Sequence, residues 1–221
     1  MTSNLKSNTI KPKKILIEAH FLPSIPYFSY LYHCEEAIVD DLSLFIRQSY
    51  RNRARILGAN KVLDLTVPVS KGKSQLPLKD VLIDYSTPWQ KKHLSSIISA
   101  YNNSPFFQYY ADDFCPLLMK KEKYLLDYNI ALLTYLKDVI KIGSIISFLS
   151  TYTTPPENEV IDLRNNILPP KKNYRQPQGY TDVPYTQVFL SEKSFIPSLS
   201  IIDLLFNTGN ESIMILRNSF D

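Results

Sequence analysis

Residues 14–28 read K-I-L-I-E-A-H-F-L-P-S-I-P-Y-F, and they contain the predicted first strand and the start of the first helix. The short apolar run Ile15–His20 predicts a buried strand. Ser24 is a good helix N-cap, and Pro26 is tolerated in the first turn of a helix that extends to about Cys34. A strand followed directly by a helix is typical of an α/β protein.

Strands and helices continue to alternate along the chain. Further strands are predicted at Ala37–Asp40, Ser49–Leu57, Val62–Val69, Val81–Tyr85 and Ile145–Tyr152. Further helices are predicted from Thr87 to about Tyr101, at Phe106–Asp113, at Lys121–Lys141 and at Ser200–Asn207. Because no helix interrupts residues 49–85, part of the sheet is expected to be antiparallel. The sequence therefore predicts a single compact α/β domain, with a mixed sheet and helices packed on its faces.

Two helix ends carry local signals. Thr87-Pro88-Trp89-Gln90 resembles a capping box, with Thr87 as N-cap, proline at the first helical position and Gln90 completing the box. Gly143 lies where the helix that starts near residue 121 should end, and glycine is the usual C-terminal cap.

The domain is expected to span residues 14–221, after a polar segment at residues 1–13 that is predicted to be flexible. Pro155–Pro184 contains six prolines and no periodic apolar pattern. Loops of this length inside a compact domain are often functional, so this range is predicted to be a long loop or a lid.

Composition excludes several functional classes. The formal net charge is only +4, from 25 basic and 21 acidic residues, which does not favour nucleic-acid binding. The chain has only five glycines and no glycine-rich phosphate loop or GxGxxG motif. Cys34 and Cys115 form neither a disulfide framework nor a zinc motif. No metal ligands and no particular cofactor are indicated.

The chain has no recognisable segment for export or membrane insertion. The first residues are polar, and the apolar run after them is too short for a signal peptide. The most apolar long segment, residues 130–149, is interrupted by Lys137, Asp138 and Lys141. We therefore expect a cytoplasmic protein without a membrane span.

His20 is the first candidate catalytic residue. It lies at the carboxyl end of the first predicted strand, where open α/β sheets bind their ligands. Glu18 is two residues earlier and faces the same side. A histidine oriented by a carboxylate is a usable general base. The alternative is a structural histidine bonded to a loop carbonyl.

Arg51, Arg53 and Arg55 alternate with other residues, so a strand would place all three on one face. Aligned arginines repel one another, and their guanidinium groups fit phosphate or carboxylate geometry. A bound anionic ligand or an acidic partner surface would explain the pattern. Alternatively, Asp40 and Asp41 neutralise these arginines within the chain.

His93 follows Trp89 by four residues, which places both side chains on one helix face. An indole beside an imidazole could line a pocket for a sugar or a nucleotide. The alternative is core packing with one polar tip.

Several segments together resemble the WbqC-like protein family. They are I-L-I-E-A-H-F-L-P-S-I-P-Y-F-S-Y-L, Y-R-N-R-A-R-I-L, L-T-V-P-V, W-Q-K-K-H-L-S-S-I-I-S-A-Y-N-N-S-P-F-F, Y-T-Q-V-F and F-I-P-S-L-S-I-I-D-L-L-F-N-T-G. The resemblance extends from about residue 14 to 209. It gives weight to Asn52, Arg53, Trp89 and His93, which lie on the better-matching segments. Family members often have Q-P-Y-F-P where this chain has A-H-F-L-P, so the resemblance does not mark His20 as an obligatory base.

The resemblance implies a role in making or modifying the sugars of bacterial surface polysaccharides of the O-antigen type. The first functional hypothesis is a transferase acting on a nucleotide-linked or amino sugar. In it, the ligand is held by Glu18, Arg51, Asn52, Arg53 and Arg55, Trp89 stacks on a ring, and His93 or His20 moves a proton. The loop of residues 155–184 closes over the site. The second hypothesis is a non-catalytic binding or scaffold protein of the same pathway, with a protein partner on the arginine face.

Overall fold

The computed structural model describes residues 13–70, 76–151, 160–170, 176–189 and 195–220. The strands are β1 Lys14–Ile17, β2 Glu36–Val39, β3 Arg53–Leu57, β4 Val62–Thr66, β5 Ile145–Phe148 and β6 Val160–Asp162. The α-helices are α1 Ile25–His33, α2 Trp89–Tyr101, α3 Phe107–Met119, α4 Leu125–Ile140, α5 Ile201–Thr208 and α6 Ser212–Asn218. The predicted single α/β domain with a mixed set of strands is confirmed.

Four strands form a parallel sheet in the order β5-β2-β1-β6. Strand β1 is central, and Ile15 pairs with Ala37 on one side and with Ile161 on the other. Ile15 and Ile17 are fully buried, as expected for a parallel strand covered on both faces. Because the strands are parallel, the chain leaves all four at the same edge of the sheet, and polar residues that follow the strands are brought together there.

The antiparallel part of the fold is a separate hairpin. Strands β3 and β4 pair from Arg53 opposite Thr66 to Leu57 opposite Val62. An antiparallel segment within residues 49–85 is thus confirmed. Val81–Tyr85 is not a strand, however, because Leu82 and Ile83 form only isolated bridges. The strand predicted to begin at Ser49 begins at Arg53, after a turn.

Helix α5 is the centre of the core, and all eight of its residues are buried. The backbone before it joins two distant parts of the chain. Ser200 N donates to Arg55 O on β3, and Ile201 N donates to Pro23 O after β1, both at 2.8 Å. The Phe206 ring lies among four other aromatic rings, with centroid separations of 5.1–6.4 Å: Tyr101, Phe107, Tyr110 and Phe114.

Two predicted helix caps are wrong. Helix α2 has Pro88 as N-cap without a side-chain cap, because Gln90 instead donates to the carbonyl oxygens of Leu118 and Lys120 at 3.0 and 2.8 Å. Helix α4 ends at Lys141 in the left-handed conformation, with φ of 64°, two residues before Gly143.

Two elements were not predicted. Strand β6 lies within the range 155–184 predicted as a loop or lid, and it pairs with β1. Helix α6 follows α5 after a single 3-10 turn. Residues 1–12, most of the predicted flexible N-terminal segment, and residues 155–159 and 171–175 of the predicted lid lie outside the described residues. No helix in the described ranges is both long enough and apolar enough to cross a membrane.

Asp203 is a buried carboxyl group within helix α5. Its carboxylate accepts hydrogen bonds from Tyr101 Oη at 2.7 Å, Tyr185 Oη at 2.6 Å and Gln187 Nε2 at 3.4 Å. Burial raises the pKa of Asp203 from 3.8 to about 6, although these donors oppose the shift. The folded state therefore binds this proton more tightly than the unfolded chain.

Asp203→Asn is expected to remove one pH-dependent contribution to stability. A raised carboxyl pKa gives stability that is fully present below pH ~3.8 and is lost as the pH rises through about 6. The free energy of unfolding of the wild type, relative to Asp203→Asn, should therefore fall by about 3 kcal/mol between pH 3.5 and 7. Urea unfolding at a series of pH values measures this difference. The exposed Asp112→Asn serves as the matched control, and parallel curves for wild type and Asp203→Asn would contradict the prediction.

Candidate functional site

Charged side chains collect where the parallel strands end. Glu18 follows β1, Asp40 follows β2, and Arg164 and Asn165 follow β6. Arg51 reaches the same place from the turn before β3. Ligands of open α/β sheets bind at this edge, so this cluster marks the first part of the candidate site.

The buried pair of Glu18 and Arg51 is the centre of the cluster. Arg51 Nη2 donates to Glu18 Oε1 at 2.8 Å, and both side chains are almost fully buried. Asn165 N donates to the same oxygen at 2.9 Å. Burial raises the pKa of Glu18 and lowers that of Arg51, while the attraction between the two charges opposes both shifts. Each partner therefore keeps the other charged in a place where a lone charge would be unfavourable.

A second ion pair lies beside the first. Arg164 Nη1 donates to Asp40 Oδ2 at 2.8 Å, and Arg164 Nη2 donates to Asp162 Oδ2 at 2.7 Å. Asp40 Oδ1 also accepts from the backbone N–H groups of Leu42 and Ser43. Asp40 thus forms its direct ion pair with Arg164, an arginine that the sequence analysis did not select, and acts on Arg51 only through a longer-range attraction.

His20 is enclosed next to this cluster. Its Nε2 lies 3.8 Å from Glu18 Oε2, which is too far for a hydrogen bond. The imidazole lies against the rings of Tyr27 and Tyr50, with centroid distances of 5.0 and 5.6 Å. Burial, with a further contribution from the positive charge of Arg51, lowers the pKa of His20 to about 3. The ring is therefore neutral at pH 7, and a catalytic role for His20 stays a prediction.

A groove of about 440 Å³ lies beside the cluster. Among the residues that the structure describes, Arg47, Arg53 and Arg55 line it together with a single acidic residue, Asp64. The ion pairs within it are long: Arg53 Nη1 lies 3.6 Å and Arg55 Nε 3.9 Å from the half-exposed Asp64 carboxylate. Three arginines against one aspartate leave the groove positively charged. We call this site the arginine groove.

The predicted row of three arginines is only partly present. Arg53 and Arg55 share one side of β3 and line the groove, but Arg51 precedes the strand and points inward to Glu18. Arg47 takes the third place in the groove. Ser49 and Arg53 also line it, and Arg51 lies two residues from each, so its Cα is within about 7 Å of theirs. The arginine groove and the buried pair are therefore adjacent.

Trp89 and His93 lie in the core and do not line the arginine groove. Their rings are 5.1 Å apart and pack with Phe21 and Tyr128. Burial lowers the pKa of His93 to about 4, although a hydrogen bond with the Thr66 backbone opposes the shift. Catalysis by His93 and ring stacking by Trp89 therefore stay predictions.

Asn52 has a clear structural contact. Its Nδ2 donates to Val67 O at 2.9 Å, and Val67 N donates to Asn52 O at 2.8 Å. These two bonds extend the β3–β4 hairpin beyond the last strand pair. Asn52 thereby fixes the backbone between Arg51 and Arg53, and a direct contact with a ligand stays a prediction.

Four charged residues of the site were not selected from the sequence: Arg47, Asp64, Asp162 and Arg164. Asp64 had a usable signal, because a hairpin centred on residues 58–61 puts it opposite Arg55. Arg164 had none, since strand β6 was not predicted. A second cavity of about 490 Å³ is lined by residues of β6 and of the segment that follows it, together with residues 176–179 and Phe220. No predicted site residue lines it. In the described ranges, no group of three or more His, Cys, Asp or Glu side chains is arranged to hold a metal ion.

The fold and the site define an α/β protein with a buried ion pair at the carboxyl edge of a parallel sheet and a cationic groove beside it. The chain belongs to the WbqC-like protein family, whose model matches residues 18–179 and 173–215. The predicted family resemblance is thus confirmed. The chain is also 24% identical, over 234 residues, to the uncharacterised protein Rv1507c of Mycobacterium tuberculosis, covering 93% of this chain and 97% of that protein. No solved structure matches significantly.

Proposed function

We propose that this protein is a transferase that acts on a nucleotide-linked or amino sugar in bacterial surface-polysaccharide synthesis. The observation that carries the proposal is the arginine groove at the carboxyl edge of the sheet. Its arginines have the geometry to bind the phosphates of a nucleotide-linked sugar, and its volume of about 440 Å³ lies in the usual range of small-molecule sites.

The weak internal neutralisation of the groove supports this assignment. Contacts of 3.6 and 3.9 Å to a half-exposed aspartate contribute little to stability. Arg53 and Arg55 can therefore exchange Asp64 for a ligand phosphate at small cost. Arg51 contributes to ligand binding indirectly. Its hydrogen bond to Glu18 fixes the backbone between Ser49 and Arg53, which both line the groove.

Arg53→Ala is expected to weaken nucleotide-sugar binding at least tenfold, since a hydrogen bond to a charged group contributes about 1.5–3 kcal/mol. In the wild type, a ligand at a hundred times its dissociation constant should raise the melting temperature by roughly 5–11 °C. A thermal-shift screen with UDP-, GDP- and dTDP-linked sugars identifies the ligand, and calorimetry then compares the variants. Transfer itself is measured by mass spectrometry of products formed with candidate acceptors.

The matched control for Arg53→Ala is Arg217→Ala. Arg217 is an exposed arginine on α6 that does not line the groove. The control should bind like the wild type. Equal affinity and turnover in Arg53→Ala and wild type would contradict the proposal.

A scaffold protein of the same pathway is the second candidate. The burial of both His20 and His93 favours it, because neither imidazole lines the arginine groove. A scaffold would bind an acidic protein surface through Arg47, Arg53 and Arg55 and would form no product. Three results together would favour this candidate over the transferase. A partner protein binds stably, Arg53→Ala abolishes that binding, and no small molecule shifts the melting temperature.

A further inference from the structure

Three large aliphatic side chains are exposed just before the arginine groove. Leu42, Leu44 and Ile46 expose 44%, 48% and 48% of their surfaces. Leu42 lies in a bend, and around Leu44 the chain pairs with residues 76–78: Phe45 N donates to Leu76 O and Leu78 N donates to Ser43 O, both at 2.9 Å.

The alternation of side chains in this segment explains their exposure. Phe45 packs against the core, so its neighbours Leu44 and Ile46 face the opposite side, which is solvent. We call Leu42, Leu44 and Ile46 the apolar stripe. Contiguous exposed apolar side chains on a folded domain are often functional.

The apolar stripe runs directly into the arginine groove. Ile46 belongs to both, Arg47 is the next residue, and Leu168, itself 42% exposed, adds a further apolar group to the groove lining. A cationic site bordered by exposed aliphatic side chains is complementary to an anionic head group that carries an apolar chain. It is a poor fit for a second copy of this chain in a two-fold dimer. An isologous interface buries the same patch of both copies and would bring the groove arginines of both into one interface.

We infer that the acceptor of the proposed transfer is an amphiphile, a sugar phosphate linked to an aliphatic chain. Its phosphate binds at the Arg47 end of the arginine groove, beside Ile46, and its chain lies along the apolar stripe. Arg53 and Arg55 stay available for the phosphates of the nucleotide-linked donor. The inference rests on the proposed function, because it specifies the chemistry of one substrate of the same site.

A series of monoalkyl phosphates below their micelle-forming concentrations tests the inference. The probes are inorganic phosphate and butyl, hexyl and octyl phosphate, with affinity measured by calorimetry on the full chain. Affinity should rise with chain length, with a limit of about fourfold for each methylene group that is fully buried. Leu44→Ser should reduce the gain in affinity from butyl to octyl phosphate at least threefold. It should leave the affinity for inorganic phosphate unchanged.

Controls separate this inference from the proposed function. Met214→Ser removes an aliphatic side chain that is 51% exposed on α6, away from the groove, and should keep the chain-length dependence. The inference fails and the proposed function stands if two results coincide. Arg53→Ala weakens the binding of inorganic phosphate, and octyl phosphate binds the wild type no more tightly than inorganic phosphate does. If Arg53→Ala leaves inorganic phosphate and nucleotide-sugar binding intact, the proposed function fails. If the affinity of Leu44→Ser depends on alkyl chain length as that of the wild type does, the assignment of the apolar stripe is wrong. This holds whether or not the variant changes its sedimentation behaviour.

Discussion

Replacing Arg51 by alanine is expected to lower the free energy of unfolding by about 3–5 kcal/mol, because it leaves the Glu18 carboxylate buried without its partner. For a chain of this size, the loss corresponds to a fall in melting temperature of roughly 6–20 °C. Thermal and urea unfolding at pH 7 measure both quantities. A surface ion pair would give less than about 1 kcal/mol, so the size of the loss tests the burial of this pair.

The loss in Arg51→Ala should also depend on pH. Burial already raises the pKa of Glu18, and removing Arg51 takes away the charge that opposes this shift. A raised carboxyl pKa gives stability that is present at low pH and lost as the pH rises through the folded-state value. The deficit relative to wild type should therefore be larger at pH 8 than at pH 5.

Two variants serve as controls for Arg51→Ala. The double variant Arg51→Met with Glu18→Leu removes both charges and keeps apolar volume, so it should be much less destabilised than Arg51→Ala. Arg217→Ala removes an exposed arginine and should have little effect. If Arg51→Ala and Arg217→Ala melt at the same temperature, the pair does not have the assigned role.

Phe206→Ala is expected to destabilise the fold by about 3–5 kcal/mol, the usual range for removing a buried phenylalanine. The Phe206 side chain is fully buried and packs against Tyr101 and Phe107 with centroid distances of 5.4 and 5.1 Å. These rings come from α2, α3 and α5, so the cavity would lie where three helices meet. Urea unfolding with both variant and wild type gives the difference in free energy.

Phe206→Leu and Tyr109→Ala are the controls for this cavity. Leucine fills most of the space and should cost clearly less than alanine. Tyr109 is 78% exposed, so its removal should change stability by less than about 1 kcal/mol. A Phe206→Ala protein no less stable than Tyr109→Ala would contradict the assigned place of α5 in the core.

The sequence predicted most elements because their apolar periodicity is local. The strand Ile15–His20 and the helix after Ser24 follow from residues adjacent in the chain. Strand β6 was missed because only three residues pair and two of them are exposed, so no buried pattern marks it. The capping box at Thr87 failed because Gln90 found better partners in the distant carbonyls of Leu118 and Lys120.

The candidate site was predicted in part for the same reason. Alternation correctly placed Arg53 and Arg55 on one side of a strand, but it could not show that the strand begins at Arg53. Arg51 therefore turns to a partner 33 residues away, Glu18. Trp89 and His93 do share one helix face, as four-residue spacing predicts, and tertiary packing decided that this face is buried.

Helix α5 has a consequence for the way the chain is made. Strand β1 begins at residue 14, and the helix that packs behind the first strand–helix unit ends at residue 208. At a synthesis rate of about 5–20 residues per second, roughly 10–40 s separate the two on the ribosome. During this interval the apolar side chains of β1 and α1 lack their final covering. The nascent protein should therefore depend on chaperones until its last helices emerge, and truncation before Ser200 should yield an aggregating chain rather than a smaller folded domain.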